Sequence, residues 1–282
     1  MISAKKFARS PAPSSAGKKR GFCRLRWCGA PLAPKPISTF YNRWMTKPKR
    51  ILVIDVGGSH VKFRIGAEGE IDRFDSGPDM TAKQMAKGVT DKVPKSQYDA
   101  VSIGYPGLVF DSRIAADPHN LGPGWIGFDF KKAFGKPVRI INDATMQAIG
   151  SYQGGRMLFL GLGTGLGGTL ILDGTIEPME LGHMPYKDGK TYEDHVGERG
   201  RLDMGTKKWR KVVRDVIDQL SKALEVDYVV IGGGNAKRLK SLAHNERLGD
   251  NDNAFIGGLR LWESPGYPLR LEVKPLKRRR GK

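Results

Sequence analysis

Cysteine is nearly missing from this 282-residue chain: only Cys23 and Cys28 occur, both close to the start. The body therefore has neither a disulfide framework nor a structural zinc site built on cysteine. Long apolar runs are also missing. None reaches the roughly 20 residues that a membrane-crossing helix needs. Residues 1–44 have no Asp or Glu against ten Lys and Arg, and they show no helical or strand periodicity. What remains is a globular composition, 39% hydrophobic and 27% charged, long enough for one large or two modest domains with a real core. A cysteine-free body fits a reducing, cytoplasmic setting.

The net charge of +19 is concentrated at the ends. Residues 1–44 contribute +10, the tail from Lys274 onward contributes +6, and the span between them only +3. A spread-out nucleic-acid face is not required, although basic ends attract polyanions through salt-sensitive contacts. Residues 1–48 read as a disordered basic extension. They lack the apolar stretch of a secretory signal, and Met45 opens a run that reads as a natural beginning.

The body divides into two α/β lobes, residues 49–155 and 156–265, followed by a basic tail over 266–282. In the first, an apolar strand over 51–56 runs into a tight Gly-Gly turn and returns over 61–65 and 71–74. A helix over 81–92, strands over 100–103 and 138–141, and a helix over 142–153 begun by an Asn/Asp cap follow. In the second, a strand over 157–162 leads into a Gly-rich turn and a returning strand over 169–172, closed at Asp173-Gly174. A helix over 209–224 and a strand over 228–231 come next. Two halves with the same opening form a weak internal repeat, with a cleft expected between them.

Three Gly-rich turns each follow an apolar strand. Glycine lets backbone N–H groups approach phosphate oxygens closely, and such turns form anion-binding nests. Gly163-x-Gly165-x-x-Gly168 matches the dinucleotide fingerprint, but strand residues follow where that fingerprint needs a helix. Gly189-Lys190-Thr191 resembles the end of a P-loop, but Met184 stands where its first glycine belongs. Asp55 at a strand end could hold Mg²⁺ or its waters, and Ser59 and Lys62 can reach phosphate oxygens. Asn142-Asp143, between a strand and a helix, places a carboxylate where it could accept a hydroxyl proton. Glu180 and His183, three apart, can engage adjacent sugar hydroxyls. No zinc-ligand spacing accompanies them.

These residues carry a resemblance. Ile54-Asp55-Val56-Gly57-Gly58-Ser59, Gly104-Tyr105-Pro106-Gly107, Ile141-Asn142-Asp143-Ala144, Gly163-Thr164-Gly165-Leu166-Gly167-Gly168, Glu180-Leu181-Gly182-His183 and Ile231-Gly232-Gly233-Gly234-Asn235 occur in that order. Together they resemble the ROK family (repressors, open reading frames, kinases), over about residues 50–262. Residues 124–129 and the missing zinc motif are most similar to its polyphosphate/ATP glucokinase branch. The resemblance implies an actin-like ATPase (ribonuclease H-like) fold of two lobes around a central cleft. It implies a hexose kinase using polyphosphate, ATP or both, and a homodimer. Asp143 would be the base on the 6-hydroxyl of glucose, with Asn142, Glu180 and His183 on other hydroxyls. Asp55, Gly57, Gly58, Ser59, Gly163, Thr164 and Gly165 would hold phosphates and Mg²⁺, and Gly232, Gly233 and Gly234 would border a nucleotide. Family members with a zinc loop carry a further sugar-binding Glu after it. Here Glu198 is the first candidate and Glu193 its rival. Lys207, Lys208, Arg210, Lys211 and Arg214 form a basic cluster that could track a polyphosphate chain. The family's repressors carry a helix-turn-helix domain ahead of the body, for which residues 1–48 are too short and too rich in proline. A non-catalytic sugar-binding regulator is the remaining alternative; the presence of Asp143 argues against it.

Overall fold

A computed structural model of the chain describes residues 49–250, 252–263 and 270–271. The expected basic extension, and all of the tail except residues 270 and 271, lie outside the described residues.

Two five-stranded sheets dominate, and they share one strand order. In the first, β1 (Ile51–Val56), β2 (His60–Ile65) and β3 (Asp72–Asp75) form an antiparallel meander, and β4 (Ala100–Tyr105) and β7 (Val138–Asn142) add in parallel beyond β1. In the second, β8 (Arg156–Leu162), β9 (Leu166–Leu172) and β10 (Thr175–Met179) repeat the meander, and β11 (Tyr228–Gly232) and β12 (Glu246–Leu248) add in parallel beyond β8. The repeat read from the two Gly-rich openings is thus a repeat of whole sheets.

Strand periodicity explains which side chains go where. On β1, Leu52, Ile54 and Val56 join one core cluster with α1 (Ala82–Lys92), whereas Ile51 and Val53 join another with α3 (Asp143–Ser151) and α7 (Asn253–Arg260). On β8, Leu158, Leu160 and Leu162 meet α6 (Thr206–Leu224), whereas Met157 and Phe159 join the α3–α7 cluster. The α3 and α7 helices therefore share a core with both sheets. They cross closely: a Cβ on Gly150 would strike the Asn253 carbonyl, and one on Gly257 would strike that of Met146. Glycines that weaken the helix signal of α7 in the sequence are what permit this crossing.

Local signals hold well where they are strong. Thr81 caps α1 with a full capping box through Gln84. The helix expected over 209–224 begins three residues earlier, and the one expected over 142–153 is α3, capped by the Asn142 side chain. Several short elements had no sequence expectation: the hairpin β5 (Val109–Phe110) and β6 (Arg113–Ile114), α2 (Phe130–Phe134), α4 (Tyr192–Val196), α5 (Glu198–Met204), β12 and α7. Each is either too short for a periodicity to register or, in α7, interrupted by a Gly-Gly pair.

Candidate active site

The parallel pairing of β1, β4 and β7 sets Asp55, Gly104 and Ile141 side by side at the ends of their strands. Asp55 follows Val53 by two, so it lies on the same face of the sheet, and Asn142-Asp143 comes immediately after Ile141. Gly104 is needed between them, since a Cβ there would press on the Met146 side chain. Asn142 fixes the turn in two directions. Its Oδ1 accepts from Thr145 N at 3.1 Å, capping α3, and its Nδ2 donates to the Gly107 carbonyl at 3.2 Å. Asp143, the first residue of the helix, accepts from Ala144 N at 2.8 Å through Oδ1.

The two aspartates perturb one another. Burial pushes Asp143 up to about 7; the charge of Asp55 adds to the effect, and that of Glu180 contributes less. Burial pushes Asp55 up to about 6, opposed by Lys62, its direct cross-strand partner. Three carboxylates expected from the sequence to be functional, Asp55, Asp143 and Glu180, are thus brought together. The Asp55 carboxylate accepts no hydrogen bond among the described residues, and with Asp143 close by it offers the hard oxygen donors suited to Mg²⁺. That ion takes one or two carboxylates and completes its shell with phosphate oxygens and water. Among the described residues, no group of three His, Cys, Asp or Glu is arranged as metal ligands.

A cleft of about 420 Å³ opens beside this corner. Asn142, Glu180, Asp111 and Glu177 supply its polar side chains, with Gly167 and Gly168 of β9 as floor. Its remaining walls come from the β5–β6 hairpin (Leu108, Val109, Phe110) and from Ile176 and Met179 of β10. The hairpin was missed from the sequence. Its signal is Asp111-Ser112 between Val109-Phe110 and Arg113-Ile114, and both loop residues take positive φ, 47° and 59°, as a two-residue hairpin loop requires. His183 ends the 3-10 turn Leu181–His183, directly after Glu180; it is exposed and does not line this cleft.

The Gly-rich turns also take distinct places. At the β1–β2 turn, Gly57 N donates to His60 O at 3.0 Å and Ser76 Oγ to Gly57 O at 2.6 Å, with Gly58 and Ser59 exposed. At the β8–β9 turn, Gly163 N donates to Gly165 O at 3.1 Å. Gly233, at φ 81°, packs so closely on the Leu162 backbone that a Cβ would overlap it, which places the Gly232–Gly234 turn against the β8–β9 turn.

Glu193 and Glu198 separate clearly. Glu193 Oε2 accepts from Leu166 N at 3.0 Å. It lies so close to Gly165 that a Cβ there would overlap its carboxylate, and it also adjoins Gly182. It therefore sits between the β8–β9 turn and the Glu180–His183 turn. Glu198, expected among the sugar-binding groups, is held elsewhere: Arg201 grips it through Nε at 2.8 Å and through Nη2, and Asn235 Nδ2 donates to it at 2.7 Å. These bonds hold its carboxyl down at about 2, and it does not line the cleft. The segment between His183 and Glu193 is pinned to α6 by Tyr186, which donates to Asp215, and by Lys187 on the same carboxylate at 2.8 Å, and to α4 by His195 edge-on to the Tyr186 ring.

The basic cluster at the start of α6 also divides. Arg214 pairs with Glu246 and donates to Ser241 O, and Arg210 Nε donates to Arg238 O at 2.5 Å. Lys207, Lys208 and Lys211 stay exposed and line a groove of about 410 Å³ with Met204, Gly205 and Thr206.

Comparison with known proteins agrees with this layout. The sequence profile of the ROK family matches residues 51–201. The polyphosphate glucokinase of Mycobacterium tuberculosis (strain CDC 1551 / Oshkosh) is 28% identical over 215 residues, covering 66% of this chain and 77% of that protein. The kanosamine kinase of Amycolatopsis mediterranei (strain S699) is 29% identical over 157 residues, 47% of this chain and 51% of that one. Among solved structures, the inorganic polyphosphate/ATP-glucomannokinase from Arthrobacter sp. strain KM matches with a TM-score of 0.63 at 22% identity, over 74% of this chain and 96% of that one. The ROK family glucokinase from Streptomyces griseus, solved with glucose and AMPPNP, matches with a TM-score of 0.59 at 15% identity, over 74% and 98%. The profile spans more than half of the sequence, and the paired sheets are those of the actin-like ATPase fold; the chain belongs to the ROK family.

Proposed function

We propose that this sugar kinase, a phosphotransferase with an alcohol acceptor, transfers a phosphoryl group from polyphosphate, ATP or both to the 6-hydroxyl of glucose. The observation that carries the reading is Asp143: a carboxylate pushed up to about 7, next to Asn142 and Glu180 of a cleft large enough for a hexose. A general base works best when its affinity for the proton lies near the working pH. Bound in the cleft, the sugar is oriented by Asn142 and Glu180, with His183 on the adjoining turn and Glu193 of α4 beside it. Asp143 accepts the proton of the 6-hydroxyl as that oxygen attacks the terminal phosphorus of the donor, and the bond from phosphorus to the leaving phosphate oxygen breaks. Positioning and charge stabilisation supply most of the acceleration in such transfers.

The turns at Gly57–Ser59 and Gly163–Gly165 supply backbone N–H groups for the donor phosphates, with Lys62 beside Asp55. Mg²⁺ held at Asp55 would offset the charge of the transferred group. The lysine-lined groove over Lys207, Lys208 and Lys211 suits a long polyanion and so favours polyphosphate as a donor. The turn at Gly232–Gly234 suits the adenosine end of ATP. Glucosamine-type sugars are the alternative acceptors.

The test is a coupled assay for glucose 6-phosphate with the full chain, Mg²⁺, and either ATP or polyphosphate, repeated with mannose and glucosamine by product detection. Glucose turnover with either donor is the expected result. Absence of turnover on every sugar with both donors overturns the reading.

A further inference from the structure

The β8–β9 turn can receive phosphate only if its carbonyl oxygens, which repel anions, point elsewhere. The carbonyls of Leu162, Gly163 and Thr164 are all engaged, as is that of Gly165, which accepts from Gly163 N. Leu162 O accepts from Asn235 N at 3.0 Å; Gly163 O accepts from Glu198 N at 3.1 Å and from Asn235 Nδ2 at 3.3 Å; Thr164 O accepts from Glu198 N at 3.1 Å. The N–H groups of Thr164 and Gly165 find no acceptor among the described residues. The turn therefore has these acceptors occupied and the Thr164 and Gly165 donors free, which is what an anion nest requires.

Glu198 is the residue on which this arrangement converges. Its N–H serves two of these carbonyls. Its carboxylate accepts from Asn235 Nδ2 at 2.7 Å, which aims the same amide group at Gly163 O. Asn235 is almost wholly buried, and Arg238 Nε donates to its Oδ1 at 2.8 Å, fixing which way the amide faces. Arg201, whose side chain is 12% exposed, holds the carboxylate bidentately and reaches Thr206 Oγ1 at 3.3 Å. Glu198 has its negative charge matched by a guanidinium and its oxygens occupied, so it has little capacity left for a sugar hydroxyl.

We propose that Glu198 is a positioning residue for the phosphoryl donor, acting with Arg201 and Asn235 to hold the Leu162–Thr164 carbonyls off the phosphate site. This rests on the kinase reading above, and assigns Glu198 to the donor side of the reaction.

The experiment measures the two substrates separately in the full chain. Steady-state kinetics give KM for glucose and for each donor, and calorimetry gives binding of glucose, of ADP and of tripolyphosphate without turnover. Glu198→Gln keeps an acceptor for Asn235 but loses the ion pair; Asn235→Ala removes the donor to Gly163 O. Both should raise donor KM about tenfold and weaken ADP or tripolyphosphate to the same degree, as loss of one charge-assisted contact would. Glucose KM and glucose binding should stay within twofold. A rise in glucose KM with donor KM unchanged returns Glu198 to the sugar and overturns the proposal. So does no change in either substrate, or an equal loss of both in a variant that melts with the wild type. Should Glu198→Gln fail to fold, Arg201→Lys, which keeps the charge but not the fork, is read by the same split. A wild type that binds tripolyphosphate or ADP yet phosphorylates no sugar overturns the kinase reading alone, because the binding split still decides where Glu198 acts. Failure of the wild type to bind either phosphate overturns the Glu198 assignment as well.

Discussion

Replacing Asp143 by Asn separates catalysis from stability at one atom pair. The amide keeps the shape of the side chain and an oxygen to accept from Ala144 N, so α3 keeps its start. What it loses is a base. Loss of a general base costs about 10²–10⁴-fold, equivalent to roughly 3–5 kcal/mol of barrier at 1.36 kcal/mol per decade. Stability should move the other way. In the folded protein, burial and the charge of Asp55 push Asp143 up to about 7, whereas in the unfolded chain it titrates near the usual carboxylate value of about 4. Between those values the folded state holds a proton that the unfolded state has released. The stabilising contribution is full below pH 4 and is lost as pH rises through 7. At pH 8 the wild type therefore carries a buried charge that the amide avoids, worth on the order of a few kcal/mol. At roughly 2–4 °C per kcal/mol for a body of this size, Asp143→Asn should melt several degrees above the wild type at pH 8 and near it at pH 4. Glucose phosphorylation in the presence of Mg²⁺ measures the first effect, and thermal melts across pH 4–8 without added metal measure the second. A variant within tenfold of wild-type turnover, or one no more stable at pH 8, refutes the reasoning.

Further perturbations test the neighbouring parts. Glu180→Ala should raise glucose KM about tenfold or more with kcat much less affected; an unchanged KM for every sugar removes Glu180 from the site. Thr145 Oγ1 and Thr169 Oγ1, both fully buried, share a hydrogen bond of 2.9 Å that ties α3 to β9. Thr145→Val leaves Thr169 unpaired and should cost about 1–3 kcal/mol, with the double variant Thr145→Val/Thr169→Val recovering part of the loss in thermal melts. The segment before Glu193 is held by Tyr186, Lys187 and Asp215. Asp215→Ala should therefore raise glucose KM, while a zinc chelator should leave both KM and the melting temperature unchanged.

Much of this protein is written locally. Alternating apolar residues on β1 and β8 fix the two faces of each sheet, and Gly-rich ends mark where the backbone must turn. Asn142 before a helix specifies a cap, and the cap delivers Asp143 to the end of a strand. These are short-range signals, legible without the fold. The elements that escaped are those whose stability comes from their neighbours: the two-residue strands β5 and β6, and α7, whose Gly257 and Gly258 break a helical pattern so that it can cross α3 at the first and pack on Val53 of β1 at the second.

The division is sharpest at the two glutamates. Spacing alone leaves Glu193 and Glu198 as rivals, because both follow the same turn and both begin short helices. Only the tertiary packing of α4 against Gly165 and Gly182, and of α5 against Asn235 and the β8–β9 turn, tells them apart. The sequence by itself determined the repeated strand–turn–strand openings, the Gly-rich turns and the aspartate at the strand end, since each depends on residues adjacent in the chain. The tertiary structure alone decided how far Asp143 is pushed from an ordinary carboxylate, and which glutamate meets which turn. Both depend on desolvation and on partners tens of residues away, and no local pattern encodes them.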